Sequence, residues 1–163
     1  MAIIVDIENT SESDEVPAPS LMRRWISAAL TPHLQNAELC VRIVDDEEMA
    51  DLNGRFRNKP YATNVLSFPA ELPDAVDIPL LGDIAVCAPV VNREAVEQHK
   101  TGEAHWAHML VHGCLHLLGY DHQDDSEAEE MEALETALLG GLGFADPYHS
   151  ADPAAGSTRV ELQ

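Results

Sequence analysis

Hydrophobic and polar positions along the chain follow two alternating periods. Ala2 to Ile7 is rich in Ile and Val and predicts a strand. An acidic loop follows from Glu8 to Glu15. Pro17 and Pro19 then lead to a helix running to about Leu30, with Ser20 as its expected cap and Leu21, Trp25, Ile26, Ala29 and Leu30 at helical spacing. From Glu38 to Val44 the period returns to two, with Leu39, Val41 and Ile43 alternating with Glu38, Cys40 and Arg42. Asp45 or Asp46 opens a short helix through Met49 and Leu52 to about Phe56, and residues 57–62 read as a loop. Thr63 to Phe68 predicts a third strand, stopped by Pro69. The acidic stretch 70–80, with Pro73 and Pro79, predicts a surface excursion. Leu81 to Cys87 is a fourth strand, where Gly82-Asp83 suggests a bulge or a close backbone approach.

Three helices complete the chain. One starts at Pro89 and ends near Lys100, one covers Glu103 to Leu118 and stops at Gly119, and one runs from Ser126 to Leu139 with Ser126 capping and Glu129 three residues on. The order is β-α-β-α-β-β-α-α-α. Four strands cannot bury themselves, so helices must cover at least one face. The expected fold is α+β, with a small four-stranded mixed sheet covered by helices. We expect one domain over 1–148 and a disordered tail over 149–163.

Composition narrows the function classes. No apolar run approaches the roughly 20 residues of a membrane span, and Met1 to Ile7 lacks the basic segment of a secretory signal. Cys40, Cys87 and Cys114 are odd in number and widely spaced, which argues for reduced thiols and a cytoplasmic location. The formal net charge of −20 repels polyanions, and only 5% of residues are aromatic. Composition alone therefore argues against nucleic acid. The exception is local: Arg55, Arg57 and Lys59 lie within five positions, either as an anion site or as a solvated loop.

Five of the eight histidines fall between 105 and 122. At about 100° per residue, His105, His108, His112 and His116 share one helix face. His112, His116, Gly119 and His122 then make H-x-x-x-H-x-x-G-x-x-H. Two imidazoles one turn apart reach one ion, a third arrives from the turn, and the fourth position stays open for water. At this composition the spacing arises by chance roughly one time in a thousand. One divalent transition-metal ion is therefore expected on His112, His116 and His122, zinc first, with nickel or cobalt also compatible. A zincin protease needs Glu directly after the first His, and this chain has Gly113. His105 and His108 read as core or surface histidines, although His108 could support His112 from one turn away. Cys114 faces elsewhere and reads as a small buried residue. Asp121 could orient a ligand imidazole or simply serve the turn.

HGCLHLLGYDH at 112–122 resembles the signature of the YbeY family of metal-dependent endoribonucleases. LNGRFRNKPYATNVLSF at 52–68, Leu81-Gly82-Asp83-Ile84, EAEEMEALE at 127–135 and the stretch Gly143 to Tyr148 are similar to further family segments, in the family's order. The resemblance implies metal ligation by His112, His116 and His122 and a catalytic role for Arg57, with Arg55 at a variable position. It implies cleavage of single-stranded RNA, maturation of the 16S ribosomal RNA 3′ end and ribosome quality control, with ribosomal RNA and the small ribosomal subunit as partners. Neither membrane nor DNA is expected as a partner. The polyanion would then be met at one small patch, where a guanidinium can take a phosphate at two points. The other readings are a ribosome-assembly factor with a structural metal, and a metalloprotease or amidase, which Gly113 disfavours.

Overall fold

The computed structural model describes residues 2–70, 80–121 and 123–148. The elements follow the expected order: β1 (Ala2–Asn9), α1 (Pro19–Leu30), β2 (Asn36–Val44), α2 (Asp46–Arg57), β3 (Val65–Pro69), β4 (Leu80–Cys87), α3 (Ala88–Glu97), α4 (Gly102–Leu117) and α5 (Asp125–Gly141). The four strands form one mixed sheet in the order β1-β2-β4-β3. β1, β2 and β4 are parallel, and β3 runs antiparallel to β4 along one edge.

Strand alternation decides which residues meet which helices. Ala37, Leu39, Val41 and Ile43 of β2 and Ile84 and Val86 of β4 face the larger core, with Trp25, Ile26, Trp106, Leu110 and Cys114 from the helices. On the opposite face, Leu66, Ala85 and Cys87 meet Met49 and Val90. Both faces are thus covered, unequally: α2 shields only part of the outer face. The expected irregularity in β4 is present. Glu38 pairs with Leu80 and Leu39 with Gly82, leaving Leu81 as the extra residue of a bulge. Gly82 has φ 147°. A Cβ there would collide with the Phe68 carbonyl and lie 2.9 Å from Leu117 Cδ2, so only glycine lets β4 pass under the end of α4.

α4 is the central element. Residues 105–115 are all buried, which leaves this helix without a solvent face for most of its length. Thr101 caps it by accepting from Ala104 N at 3.1 Å, and Gly119, with φ 105°, follows its end.

Several boundaries differ from expectation for local reasons. Ser20 does not cap α1: Pro19, with φ already fixed, takes the first turn, Ala18 precedes it, and no side chain caps that end. Asp124, not Ser126, caps α5, accepting from Glu127 N at 2.7 Å. α3 ends at Glu97 rather than near Lys100, because His99 turns the chain with φ 57°. Arg57 is the last residue of α2, and Asn58 closes that helix in the left-handed region. The 70–80 excursion falls almost wholly outside the described residues, as does the 149–163 tail. No helix among the described residues is long and apolar enough to cross a membrane.

Candidate active site

A buried helix carrying four histidines takes most of their ring nitrogens out of water, where a polar group without a partner costs free energy. Neighbouring helices supply the acids. His105 Nε2 meets Glu94 Oε1 of α3 at 2.9 Å, and Asn64 Nδ2 donates to the same oxygen at 3.2 Å. His108 Nε2 meets Glu135 Oε2 of α5 at 3.3 Å, and His112 Nδ1 meets that oxygen at 3.1 Å. The Tyr148 hydroxyl donates to the other oxygen, Glu135 Oε1, and lies 3.2 Å from His108 Nε2. The rings follow one another along the helix with centroids 6.1, 6.5 and 4.6 Å apart, the last step joining His112 to His116. His105, His108 and His112 are buried, and His116 is partly exposed, so the row opens toward solvent at its C-terminal end.

The electrostatics set the protonation states. Burial drives His108 down to about 4 against the opposing pull of Glu135, so its ring is neutral near pH 7. Burial by itself would raise the Glu135 carboxyl. Hydrogen bonds from His108 and His112 overcome it and hold the group at about 2. An ionised Glu135 only accepts. His112 must therefore donate from Nδ1, which puts the ring's lone pair on Nε2, the nitrogen that could ligate a metal. A carboxylate fixing the tautomer of an imidazole is the arrangement that metal-ligating histidines use.

The residues anticipated from sequence distribute as follows. His112 and His116 are adjacent on α4. His122 lies outside the described residues, and among those described no group of three His, Cys, Asp or Glu side chains is arranged to hold a metal ion. Donor chemistry still fits a transition metal: a carboxylate-oriented imidazole beside a second imidazole, on a rigid helix and open at one end. His108 supports His112 through their shared Glu135, and His105 is a core histidine held by Glu94. Cys114 is fully buried, and burial pushes its thiol up to about 12. Asp121 lines a cavity of about 600 Å³ beyond the end of α4, with His33, Tyr120, Glu127 and Glu130.

Arg57 reaches α4 through β3. Its Nη2 donates to the Ser67 carbonyl at 3.0 Å, its guanidinium lies 5.8 Å from the Phe68 ring centre, and Ser67 Oγ donates to the Gly113 carbonyl at 3.1 Å. One residue of β3 thus joins the arginine to the residue following His112. Arg55, two positions earlier, is instead drawn to Asp51 at 2.8 Å.

Gly113 has a packing reason. A Cβ there would lie 3.2 Å from two Ile84 carbons and 3.3 Å from Ser67 Oγ, so this position faces the sheet with no room for a carboxylate base. Glu135 and Tyr148 were not singled out from sequence. Glu135 is one of several acids in EAEEMEALE; it falls between Met131 and Leu139 at four-residue spacing, all three buried, whereas Glu127, one step before Met131, is exposed. An acid inside an apolar stripe was the available signal.

This α+β architecture recurs in the solution structure of TM1509 from Thermotoga maritima. It is similar to 87% of this chain and 92% of its own, with a TM-score of 0.56 and 24% identity, which shows the shared fold. The family described as Endoribonuclease YbeY matches residues 6–143. Two relatives of that name are a Cellvibrio japonicus protein, 61% identical over 148 residues covering 90% of this chain and 84% of its own, and a Pseudomonas syringae protein, 56% identical over 158 residues covering 94% and 95%. The chain belongs to the YbeY family, whose members are named as endoribonucleases, hydrolases acting on RNA.

Proposed function

We propose that this protein is a metal-dependent, single-strand-specific endoribonuclease of the cytoplasm that acts in 16S ribosomal RNA 3′-end maturation and ribosome quality control, with the small ribosomal subunit as its working partner. The observation that carries this reading is the hydrogen-bonded link from Arg57 through Ser67 to Gly113, beside the carboxylate-oriented His112. His112, His116 and His122 would hold the ion, zinc first and nickel or cobalt as alternatives. When bound, such an ion supplies Lewis acidity toward a phosphate oxygen and lowers the pKa of water at its open position.

The protein's own residues do the rest. Glu135 keeps the Nδ1 proton on His112 and stops the ring turning. Arg57 lies exposed at the end of α2, next to the β3 edge, where its planar fork can take two phosphate oxygens and offset charge in the transition state. Gly113 leaves no base on the sheet side of the helix, which weighs against peptide hydrolysis.

Elemental analysis of the purified protein tests the metal, alongside cleavage of a single-stranded RNA with and without chelator. About one ion per chain is expected. His116→Ala should lose the ion together with cleavage, and undiminished metal in that variant would refute the assignment.

A further inference from the structure

Phe56 is 56% exposed and Tyr61 is 51% exposed, both at the same end of α2. Large aromatic rings left in water contribute little to the fold, and here they alternate with charge in the sequence Arg55-Phe56-Arg57-Asn58-Lys59-Pro60-Tyr61. Three of the chain's nine Lys and Arg residues fall in this stretch, in a molecule of net charge −20. The segment is held in shape. Asn58 turns the chain in the left-handed region, Lys59 N donates to the Asn53 carbonyl at 3.2 Å, and Asn53 Nδ2 donates to the Tyr61 carbonyl at 2.9 Å. The loop therefore curls back on α2. Phe56 stands edge-on to Phe68, ring centres 5.2 Å apart, over a groove of about 380 Å³ that α2 leaves uncovered on the outer face of the sheet. Arg42 and Asp83 also line that groove.

We infer that the end of α2 and the loop 58–61 form a platform for single-stranded RNA, on which Phe56 and Tyr61 stack unpaired bases while Arg57 and Lys59 meet the phosphates. Resting on the endoribonuclease reading, this names the feature that selects single strands. Every base offers a π-face, so stacking is tolerant of sequence, but a duplex keeps those faces buried. Charge complementarity points to the same occupant: a polyanion approaching this acidic molecule meets its concentration of cations here. Arg57 belongs to both platform and site, so a strand stacked on Phe56 is carried along the β3 edge toward the histidines. The Arg55–Asp51 pair is exposed on both sides and holds Arg55 only weakly.

The test is equilibrium binding of the metal-loaded protein to a fluorescent, uncleavable 2′-O-methyl single strand of about ten nucleotides, within the range one such platform spans. Phe56→Ala and Tyr61→Ala should each weaken binding on the order of ten-fold, with only a small change in thermal melting, because both side chains are half exposed and Phe56 gives up one edge contact with Phe68. Phe56→Trp should retain binding, and its emission should be quenched by the single strand but not by an abasic strand or a duplex. Trp25 and Trp106 are 3% and 1% exposed, so they give a constant background. Parent-like affinity in both alanine variants, or an unquenched tryptophan while the parent protein cleaves RNA, would overturn the platform and leave the endoribonuclease reading standing. Those outcomes would fit a protein-docking patch instead. If the parent neither binds nor cleaves RNA, both readings fail.

Discussion

Glu135 is 1% exposed and receives hydrogen bonds from His108, His112 and Tyr148. Glu135→Ala would take the carboxylate acceptor from two buried imidazoles, leaving His108 only the Tyr148 hydroxyl at 3.2 Å, at about 1–3 kcal/mol for an unmet N–H, and open a cavity besides. Against a total stability of about 5–15 kcal/mol, that variant is expected to fold poorly. Glu135→Gln is the informative change. It conserves volume, its amide oxygen can accept from both rings, and its amide NH₂ can donate to Tyr148. What it removes is the charge that polarises His112. Loss of such a carboxylate partner costs roughly 10–100-fold in metal affinity, about 1.4–2.8 kcal/mol. Competition for zinc with a chromophoric chelator measures this, and the visible spectrum of the cobalt form reports any change in ligand geometry. Glu94→Gln is the control, since Glu94 holds His105 and Asn64. Parent-like zinc affinity in Glu135→Gln, or an equal loss in Glu94→Gln, would refute the orienting role.

Arg57→Ala should lose roughly 10²–10³ in single-turnover cleavage of single-stranded RNA while keeping its metal, Arg57→Lys should recover part of it, and Arg55→Ala should cleave at close to the parent rate; an inactive Arg55→Ala would place the function on the wrong arginine. At Gly113, alanine gains about 1 kcal/mol in helix propensity but crowds Ile84 at 3.2 Å, so melting should show a net loss of up to about 2 kcal/mol, and Gly113→Glu should be strongly destabilised without acquiring casein hydrolysis. Acid should weaken the metal-free fold. His108 takes its proton at about 4 when folded against 6.5 when unfolded, so the unfolded chain binds more protons between those values and stability falls by about 3 kcal/mol as pH drops through them. Urea melts at about pH 7 and about pH 4.5 that coincide would contradict the His108 assignment; Glu135, held at about 2 against 4.5, is expected to extend the decline below that window, and melts at about pH 4.5 and about pH 2.5 that coincide would contradict it.

The order of the elements, the α+β class and the row of histidines on one face of α4 could all be read along the chain. Each depends on local periodicity: two residues for strands, 3.6 for helices, with Gly119 marking where α4 must end. The sequence also carried the segments that place the chain in its family. Local patterns fixed helix ends less well, because capping turns on single side chains: Asp124 and Ser126 are both good caps, and only the folded geometry chose Asp124. Strand order was not legible either, since nothing local says that β4 lies between β2 and β3. That order puts β3 at an edge beside α4, which lets one serine bridge Arg57 to Gly113 across 56 residues of chain. For the same reason, the only mark Glu135 carries in the sequence is its place in the apolar stripe of Met131 and Leu139. A carboxylate among many acids acquires meaning only when packing against α4 removes it from water and leaves two imidazoles as its partners.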